Sequence, residues 1–175
     1  MKGHPGGQEN TRQMLALSGL RPGASILDMG AGAGETVALL QSLGYAARGI
    51  DLAPRSKLVE QADMHGTGFP GGSFDGVLSQ CAFYISGDVD KALAESHRLL
   101  KPGGKLLLAD VFFQEPGPLL ARTGFHILQA MDMTAHDSTA CVNRASMCRS
   151  STLGDVLISV MCFATIARSW SSIRR

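Results

Sequence analysis

The sequence lacks the features that mark secreted and membrane-spanning proteins. Its four cysteines form no C-x-x-C pair and no regular framework, which indicates a reducing compartment. Residues 1–10 contain no apolar core, so we expect no signal peptide. The apolar run at 156–167 is shorter than the ~18 to 20 residues that cross a bilayer. We therefore expect a cytoplasmic protein without a membrane partner.

The sequence also has no excess of charge of either sign. Sixteen basic and fifteen acidic residues leave a net charge of +1, without the basic stripe that nucleic-acid binding requires. At 175 residues and 45% hydrophobic content, the chain has the size and composition of one packed domain. We expect a single domain over 1–175 that does not act on nucleic acid.

Glycine is abundant where the chain changes from one apolar segment to the next. In residues 25–52 an apolar run stops at Asp28, a loop with Gly30, Gly32 and Gly34 follows, and an amphipathic stretch leads to a second apolar run that ends at Asp51. This pattern predicts a strand, a loop, a helix and a second strand. Glycines permit the tight turn and let a ligand approach backbone N–H groups at the helix start.

The acid at the end of the second strand indicates the kind of ligand. Asp51 lies 19 residues after Gly32, at a position where an acid can accept hydrogen bonds from both hydroxyls of a ribose. Ligands of open α/β sheets bind in the crevice at the carboxyl ends of the strands. The segment therefore predicts a site for an adenosine.

Two phosphate-containing adenosine ligands are disfavoured. The dinucleotide fingerprint needs Gly or Ala where Glu35 stands, and no Gly-Lys-Ser or Gly-Lys-Thr follows the loop. A nicotinamide-dependent oxidoreductase is therefore the weaker hypothesis. Asp28 instead supplies negative charge suited to a cationic amino group or a sulfonium.

Four motifs together resemble the class I S-adenosylmethionine-dependent methyltransferases, in their small-molecule, methyltransferase type 11-like branch. They are the segments 28–34 (DMGAGAG), 49–52 (GIDL), 69–77 (FPGGSFDGV) and 97–108 (HRLLKPGGKLLL). The resemblance covers roughly residues 8–112, the expected cofactor-binding core, and leaves 113–175 as a weakly matching part. It implies a doubly wound, Rossmann-like α/β fold with a mostly parallel sheet. It also implies S-adenosyl-L-methionine as cofactor and a small-molecule methyl acceptor.

The resemblance assigns cofactor contacts to nine positions of this sequence. They are Asp28, Gly30, Ala31, Gly32, Asp51, Leu52, Asp63, Met64 and Gln80. Asp63 matches the family acid that bonds the adenine amino group, and Met64 would lie beside the ring. The alternative for Asp63 is an ordinary acid at a strand end or turn.

The chain departs from the family pattern at two places. Only residues 53–56 separate Leu52 from the third strand that we predict at 57–62, so the second crossover helix is reduced to a turn and the adenine pocket is open on that side. Residues 124–128 resemble the sixth strand and 156–166 are a candidate for the seventh. Little room remains for the usual fifth helix, which predicts a degenerate carboxyl-terminal part.

The sequence predicts no catalytic residue and no metal site. Methyl transfer from a sulfonium can proceed by orientation in a water-poor site, so a dedicated base is optional. Gln80 and Tyr84 are candidates for orienting an acceptor, and Cys81 is either core filling or a thiol for a soft acceptor such as arsenite. Cys141 and Cys148 have no third ligand nearby in the sequence.

The two departures keep a second hypothesis open. A degenerate domain that binds S-adenosylmethionine without catalysis would carry the same motifs, and only turnover separates it from a methyltransferase. Neither the acceptor nor the oligomeric state is predicted by the sequence.

Overall fold

A computed structural model describes residues 7–112, 116–132 and 160–168. The helices are α1 (Gly7–Ser18), α2 (Glu35–Ser42), α3 (Val89–Leu99) and α4 (Pro116–Arg122), with a 3-10 turn at Tyr84–Ser86. The strands are β1 (Ser25–Met29), β2 (Ala46–Asp51), β3 (Val59–Gln61), β4 (Phe74–Gln80), β5 (Leu100–Phe112), β6 (Phe125–Asp132) and β7 (Val160–Arg168).

The strands form one seven-stranded sheet in the order β3-β2-β1-β4-β5-β7-β6. The first five strands of that order run parallel, and β7 pairs antiparallel with both β5 and β6. The order reverses between β1 and β4, where an open α/β sheet leaves a crevice at the carboxyl ends of its strands. The predicted doubly wound, mostly parallel α/β fold is confirmed.

Both faces of the sheet are covered, which explains why its central strands read as continuous apolar runs. Successive residues of one strand enter opposite core clusters, as the two-residue period of a strand requires. Ile26 packs with Met14, Val37 and Leu40 on the face of α1 and α2. Leu27 packs instead with residues of the α3 face, among them Leu93, Leu99 and Leu100.

Local signals set the helix ends. Gly34 is the N-cap of α2 in the left-handed region, with φ 78°, and Gly44 follows its C-terminus at φ 86°. The Oδ1 atom of Asp88 caps α3 by accepting the N–H of Lys91 at 3.0 Å.

The loop after β3 is fastened to α3 by Glu95. Its Oε1 accepts both the N–H and the hydroxyl of Thr67, at 2.9 and 2.7 Å, and Arg98 donates to both carboxylate oxygens. Hydrogen bonds from Arg98, and then those from Thr67, lower the pKa of Glu95 to about 2 against the opposing effect of burial. The carboxylate is therefore charged at neutral pH and holds the loop in place.

Two predicted strand boundaries are wrong. The third strand covers only Val59–Gln61 rather than 57–62, because Lys57 and Leu58 belong to the preceding turn. The apolar run 105–111 predicts a fifth strand that starts at Lys105, after a stop at 101–104, whereas the strand begins at Leu100, directly after α3. Phe74 pairs with Leu100 and Gly76 pairs with Lys105, so 101–104 is an irregularity within the strand instead of a stop before it.

The predicted short second crossover is confirmed, since residues 52–58 contain only turns and bends between β2 and β3. In the carboxyl-terminal part, the predicted sixth and seventh strands correspond to β6 and β7, and α4 was not anticipated. Residues 133–159, and with them Cys141 and Cys148, lie outside the described residues. In the described part of the chain, no helix combines the length and the apolar content needed to span a bilayer.

A substitution at Gly49 tests how closely β2 packs against the glycine loop and α2. A Cβ at this position would lie 2.5 Å from Cγ2 of Val37 and 2.8 Å from Cβ of Ala31, so Gly49→Ala forces a shift in a packed region. We expect the free energy of unfolding to fall by about 1–3 kcal/mol in urea denaturation. Gly66→Ala is the matched control, because no atom lies within 4 Å of its added Cβ. Equal stabilities of the two variants would contradict this packing.

Candidate functional site

The glycine loop between β1 and α2 is shaped by left-handed backbone and by the end of β2. Gly30, Gly32 and Gly34 have φ values of 86°, 53° and 78°, a region that residues with a Cβ rarely adopt. The N–H groups of Gly30 and Ala31 both donate to the carbonyl of Ile50 at 2.9 Å. The loop is thus held against the neighbouring strand at the carboxyl edge of the sheet.

Close neighbours surround the same loop. A Cβ on Gly30 would collide with the Cβ of Ala82, which follows β4, and a Cβ on Gly32 would lie 2.7 Å from Nη2 of Arg55. Both glycines are therefore required by packing within the protein, because a side chain at either position would collide with a residue that follows β4 or β2.

Asp51, the last residue of β2, holds the glycine loop through its carboxylate. Its Oδ2 accepts the N–H of Gly32 at 2.9 Å, and its Oδ1 accepts the N–H of Ala53 at 2.9 Å. The side chain is partly buried. A carboxylate has about four lone-pair positions, so each oxygen can still accept a further hydroxyl hydrogen.

Asp28 lies in the interior at the end of β1, with 3% of its surface exposed. Burial, and secondarily the negative charge of Asp51, raises the pKa of Asp28 from 3.8 to about 7. Two acids near one another at the ends of adjacent strands create negative potential beside the loop. A cationic ligand group would favour the charged form of Asp28.

The adenine-side residues predicted from the resemblance lie in the segment after β3. Asp63 is exposed, and its Oδ1 accepts the N–H of His65 at 2.8 Å. Met64 is 8% exposed, and its Cε lies 3.6 Å from the Cβ position of Gly30. Leu52 is 60% exposed on the side opened by the short crossover. The structure thus brings Met64 to the loop and leaves Asp63 and Leu52 at its rim.

Gln80 has a different setting from the one expected of a residue that faces the crevice. Its buried Oε1 accepts the hydroxyls of Thr11 at 3.2 Å and Thr36 at 3.3 Å, and its Nε2 lies 3.9 Å from the sulfur of Met14. The amide therefore joins α1 and α2 to the end of β4. Thr11 and Thr36 were missed because a lone threonine in a helix gives no sequence signal.

The segment after β4 reaches the glycine loop, where Ala82 meets Gly30. Cys81 has φ 54°, in the left-handed region, and donates its N–H to the carbonyl of Ala109 at 2.7 Å. The buried carboxylate of Asp110 accepts the N–H of Tyr84 at 3.1 Å. Burial, and then the charge of Asp110, raises the pKa of the Cys81 thiol, which keeps the thiol neutral. Asp110 was missed, although the sequence carries a signal for it, because an acid there interrupts an apolar strand.

A separate cavity of about 630 Å³ lies between α3 and the residues that follow α4. Its lining includes Asp90, Lys91, His97 and Arg122. Among residues 7–112, 116–132 and 160–168, no three histidine, cysteine or acidic side chains come together as a metal site.

The donors and acceptors around the loop fit a ligand with an adenosine and a positive charge. Asp51 offers acceptor capacity for hydroxyls, Asp28 offers negative charge, and the loop brings main chain to the carboxyl edge of the sheet. Methionine carrying a sulfonium joined to adenosine is a ligand of this kind.

Comparison with known proteins agrees with this geometry. A family model described as a methyltransferase domain matches residues 27–108. Arsenite methyltransferase of Aquipseudomonas alcaligenes is 32% identical over 123 residues, which are 56% of this chain and 36% of that protein. The ubiquinone/menaquinone biosynthesis C-methyltransferase UbiE of Hydrogenovibrio crunogenus is 30% identical over 152 residues, 74% of this chain and 59% of that one.

Solved structures of methyltransferases have a similar fold. A SAM-dependent methyltransferase from Aquifex aeolicus superposes with a TM-score of 0.62 at 17% identity, covering 89% of this chain and 88% of that one. The chain spans 36% and 59% of the two curated relatives just described. The matched segment runs from β1 into β5, and over it the chain is similar to the class I S-adenosylmethionine-dependent methyltransferases.

Proposed function

We propose that this chain transfers the methyl group of S-adenosylmethionine to a small-molecule acceptor. The observation that carries the proposal is the glycine loop bounded by Asp28 and Asp51, since it places main chain and two acids together at the carboxyl edge of the sheet. When bound, the cofactor supplies a methyl group on a positively charged sulfur that is already a good leaving group.

The cofactor-side residues divide the binding between them. Asp51 keeps the Gly32 N–H in place while its remaining lone pairs accept the ribose hydroxyls. Asp28 provides the charge that favours the cationic methionine part. Met64 covers the loop at Gly30, and Asp63 accepts the adenine amino group from the more open rim. Gln80 acts through Thr11 and Thr36, because it holds α1 over the same end of the sheet.

The acceptor side is assigned to the segment that follows β4. Asp110 holds the main chain at Tyr84, and the half-exposed ring of Tyr84 reaches the rim beside the exposed Ile85. These side chains orient an acceptor and reduce the access of water, which suffices for an in-line displacement from a sulfonium. The neutral thiol of Cys81 is a wall residue in this proposal.

The setting of the reaction is also part of the proposal. The relatives' names point to arsenite in one case and to ubiquinone and menaquinone biosynthesis in another, and both are small-molecule processes. A nearly neutral charge balance supports an acceptor other than nucleic acid, and the scattered cysteines support a cytoplasmic location. We propose that residues 1–175 act as one methyltransferase domain.

Turnover separates the enzyme from a non-catalytic cofactor-binding domain. We expect the purified chain to form S-adenosylhomocysteine from S-adenosylmethionine when given an acceptor from a panel of arsenite and intermediates of ubiquinone and menaquinone biosynthesis. Calorimetric titrations with S-adenosylmethionine and NADH establish binding first. Cofactor binding without product from any acceptor would favour the non-catalytic domain, and binding of NADH alone would refute the cofactor assignment.

Asp51 and Asp63 should differ in their contribution to cofactor affinity. Removing a hydrogen bond to a charged group costs roughly 1.5 to 3 kcal/mol, so Asp51→Ala should weaken S-adenosylhomocysteine about ten- to a hundredfold in calorimetry. Asp63→Ala should weaken it less, because the Asp63 carboxylate is exposed and already accepts the His65 N–H.

A ligand lacking one hydroxyl supplies the control for Asp51. The 2′-deoxyribose analogue should bind the native chain more weakly than the parent ligand does, and the two ligands should bind Asp51→Ala almost equally. Comparing the two ligands on the same variant removes any effect of the substitution on the loop itself. The bond between the Gly32 N–H and residue 51 is lost whichever ligand is bound. Equal affinity of both ligands for the native chain would show that Asp51 does not hold the ribose.

Burial of Asp28 should make the stability of the ligand-free chain pH-dependent. Its folded-state pKa of about 7 lies above the ordinary 3.8, so the folded state binds more protons between these values and stability falls as pH rises through this window. Asp28→Asn should remove that loss and stabilise the chain at pH 8 by up to about 4 kcal/mol in urea denaturation. The same variant should bind S-adenosylmethionine at least about tenfold more weakly. Parallel stability curves for both proteins would refute the raised pKa.

A further inference from the structure

His65 bridges the adenine side and the acceptor side of the crevice. Its Nδ1 lies 3.2 Å from Oδ1 of Asp63, and its Nε2 lies 3.1 Å from the hydroxyl of Ser86, the last residue of the 3-10 turn after β4. The imidazole is 20% exposed. A single side chain thus connects two segments that follow different strands.

The direction of the bond to Ser86 follows from the use of the hydroxyl hydrogen. The Ser86 hydroxyl donates to the carbonyl of Phe83 at 2.6 Å, and a serine has only one hydrogen to donate. The ring of His65 therefore donates from Nε2 to Ser86, and its bond to Asp63 requires a hydrogen on Nδ1 as well, because a carboxylate only accepts. A carboxylate, an imidazole and a hydroxyl in this order occur in hydrolases, but a hydroxyl committed to a carbonyl is not a nucleophile activated by the ring.

The 3-10 turn Tyr84–Ser86, which receives this bond, lies on the acceptor side of the crevice and is held by several hydrogen bonds. The N–H of Ser86 bonds to the carbonyls of Ala82 and Phe83, both at 3.1 Å. At the start of the turn, the N–H of Tyr84 is held by Asp110 of β5. The turn is therefore fastened to the sheet at one end and to His65 at the other.

Both connected segments also meet the glycine loop. The Cε atom of Met64 lies 3.6 Å from the position that a Cβ on Gly30 would take. Ala82 lies against the same position. Residues next to His65 and residues next to the turn thus border the place where the methionine part of the cofactor is expected. A change in one of these segments therefore needs only a few side chains to reach the other segment.

We propose that His65 is a positioning residue that couples occupancy of Asp63 by the adenine amino group to the placement of the turn Tyr84–Ser86. The inference rests on the proposed function. A ligand hydrogen bond holds the Asp63 carboxylate in one orientation, which orients the imidazole and, through Nε2, Ser86. Because such coupling is reciprocal, an ordered acceptor-side turn also favours the bound cofactor.

Hydrogen exchange of the full chain with and without S-adenosylhomocysteine tests the coupling. In the native protein, we expect exchange in peptides covering 80–88 to slow about tenfold when the ligand is bound. His65→Asn keeps an amide near Asp63 and loses the reach to Ser86. In that variant the slowing should be less than about twofold, with ligand affinity changed less than about threefold.

Three variants show whether the effect belongs to the bridge. Ser86→Ala should reproduce His65→Asn, and so should His65→Gln, whose amide can take the place of Nε2 but leaves no nitrogen for Asp63. His126→Asn is the matched control, since this histidine is exposed on β6, and it should behave as the native chain does. A merely structural role would raise exchange equally with and without ligand, and that result would overturn the proposal.

The outcomes also separate this inference from the proposed function. If S-adenosylhomocysteine binds the native chain but leaves exchange at 80–88 unchanged, the coupling is wrong and the methyltransferase proposal stands. If the ligand does not bind at all, the proposed function fails and the coupling fails with it.

Discussion

The hydrogen bond from the Gly32 N–H to Asp51 is the interaction on which the site depends. Together with the two N–H groups that bond to the carbonyl of Ile50, it attaches the glycine loop to the end of β2. The same carboxylate faces the expected ribose and raises the pKa of Asp28 through its charge, although burial is the larger cause. The shape of the loop and the electrostatics of the crevice therefore have a common origin.

The loop and its acids could be predicted from sequence because their signal is local. Glycines at alternate positions and an acid at each strand end lie within residues 28–51. The surroundings could not be predicted, because they arise between segments far apart in the chain. Gln80 meets Thr11 across 69 positions, and Tyr84 meets Asp110 across 26. Thr11 does not differ in type from an ordinary helix residue, and the acid at position 110 gives no sign of which distant residue it meets.

Boundary errors have a similar physical cause. The stretch 101–104 contains Pro102 and two glycines, residue types that usually end an element. The neighbouring strand overrides that local preference, since β4 pairs with Leu100 before the irregularity and with Lys105 after it. The short third strand shows the reverse case, in which pairing with β2 reaches only Val59–Gln61 and leaves Leu58 in a turn. Tertiary pairing, rather than composition, decides both limits.

The division of charge between the two sides of the crevice indicates where rate is controlled. Acids that stabilise a sulfonium stabilise the bound substrate, and the positive charge on sulfur is lost as the methyl group departs. In the proposed reaction, we therefore expect Asp28 to contribute to binding more than to lowering the barrier, since only interactions stronger in the transition state accelerate the reaction. Acceleration must come from holding the acceptor in line with the methyl group. In the proposed reaction, we therefore expect turnover to depend on the placement of the turn Tyr84–Ser86, which Asp110 and His65 fasten from either end.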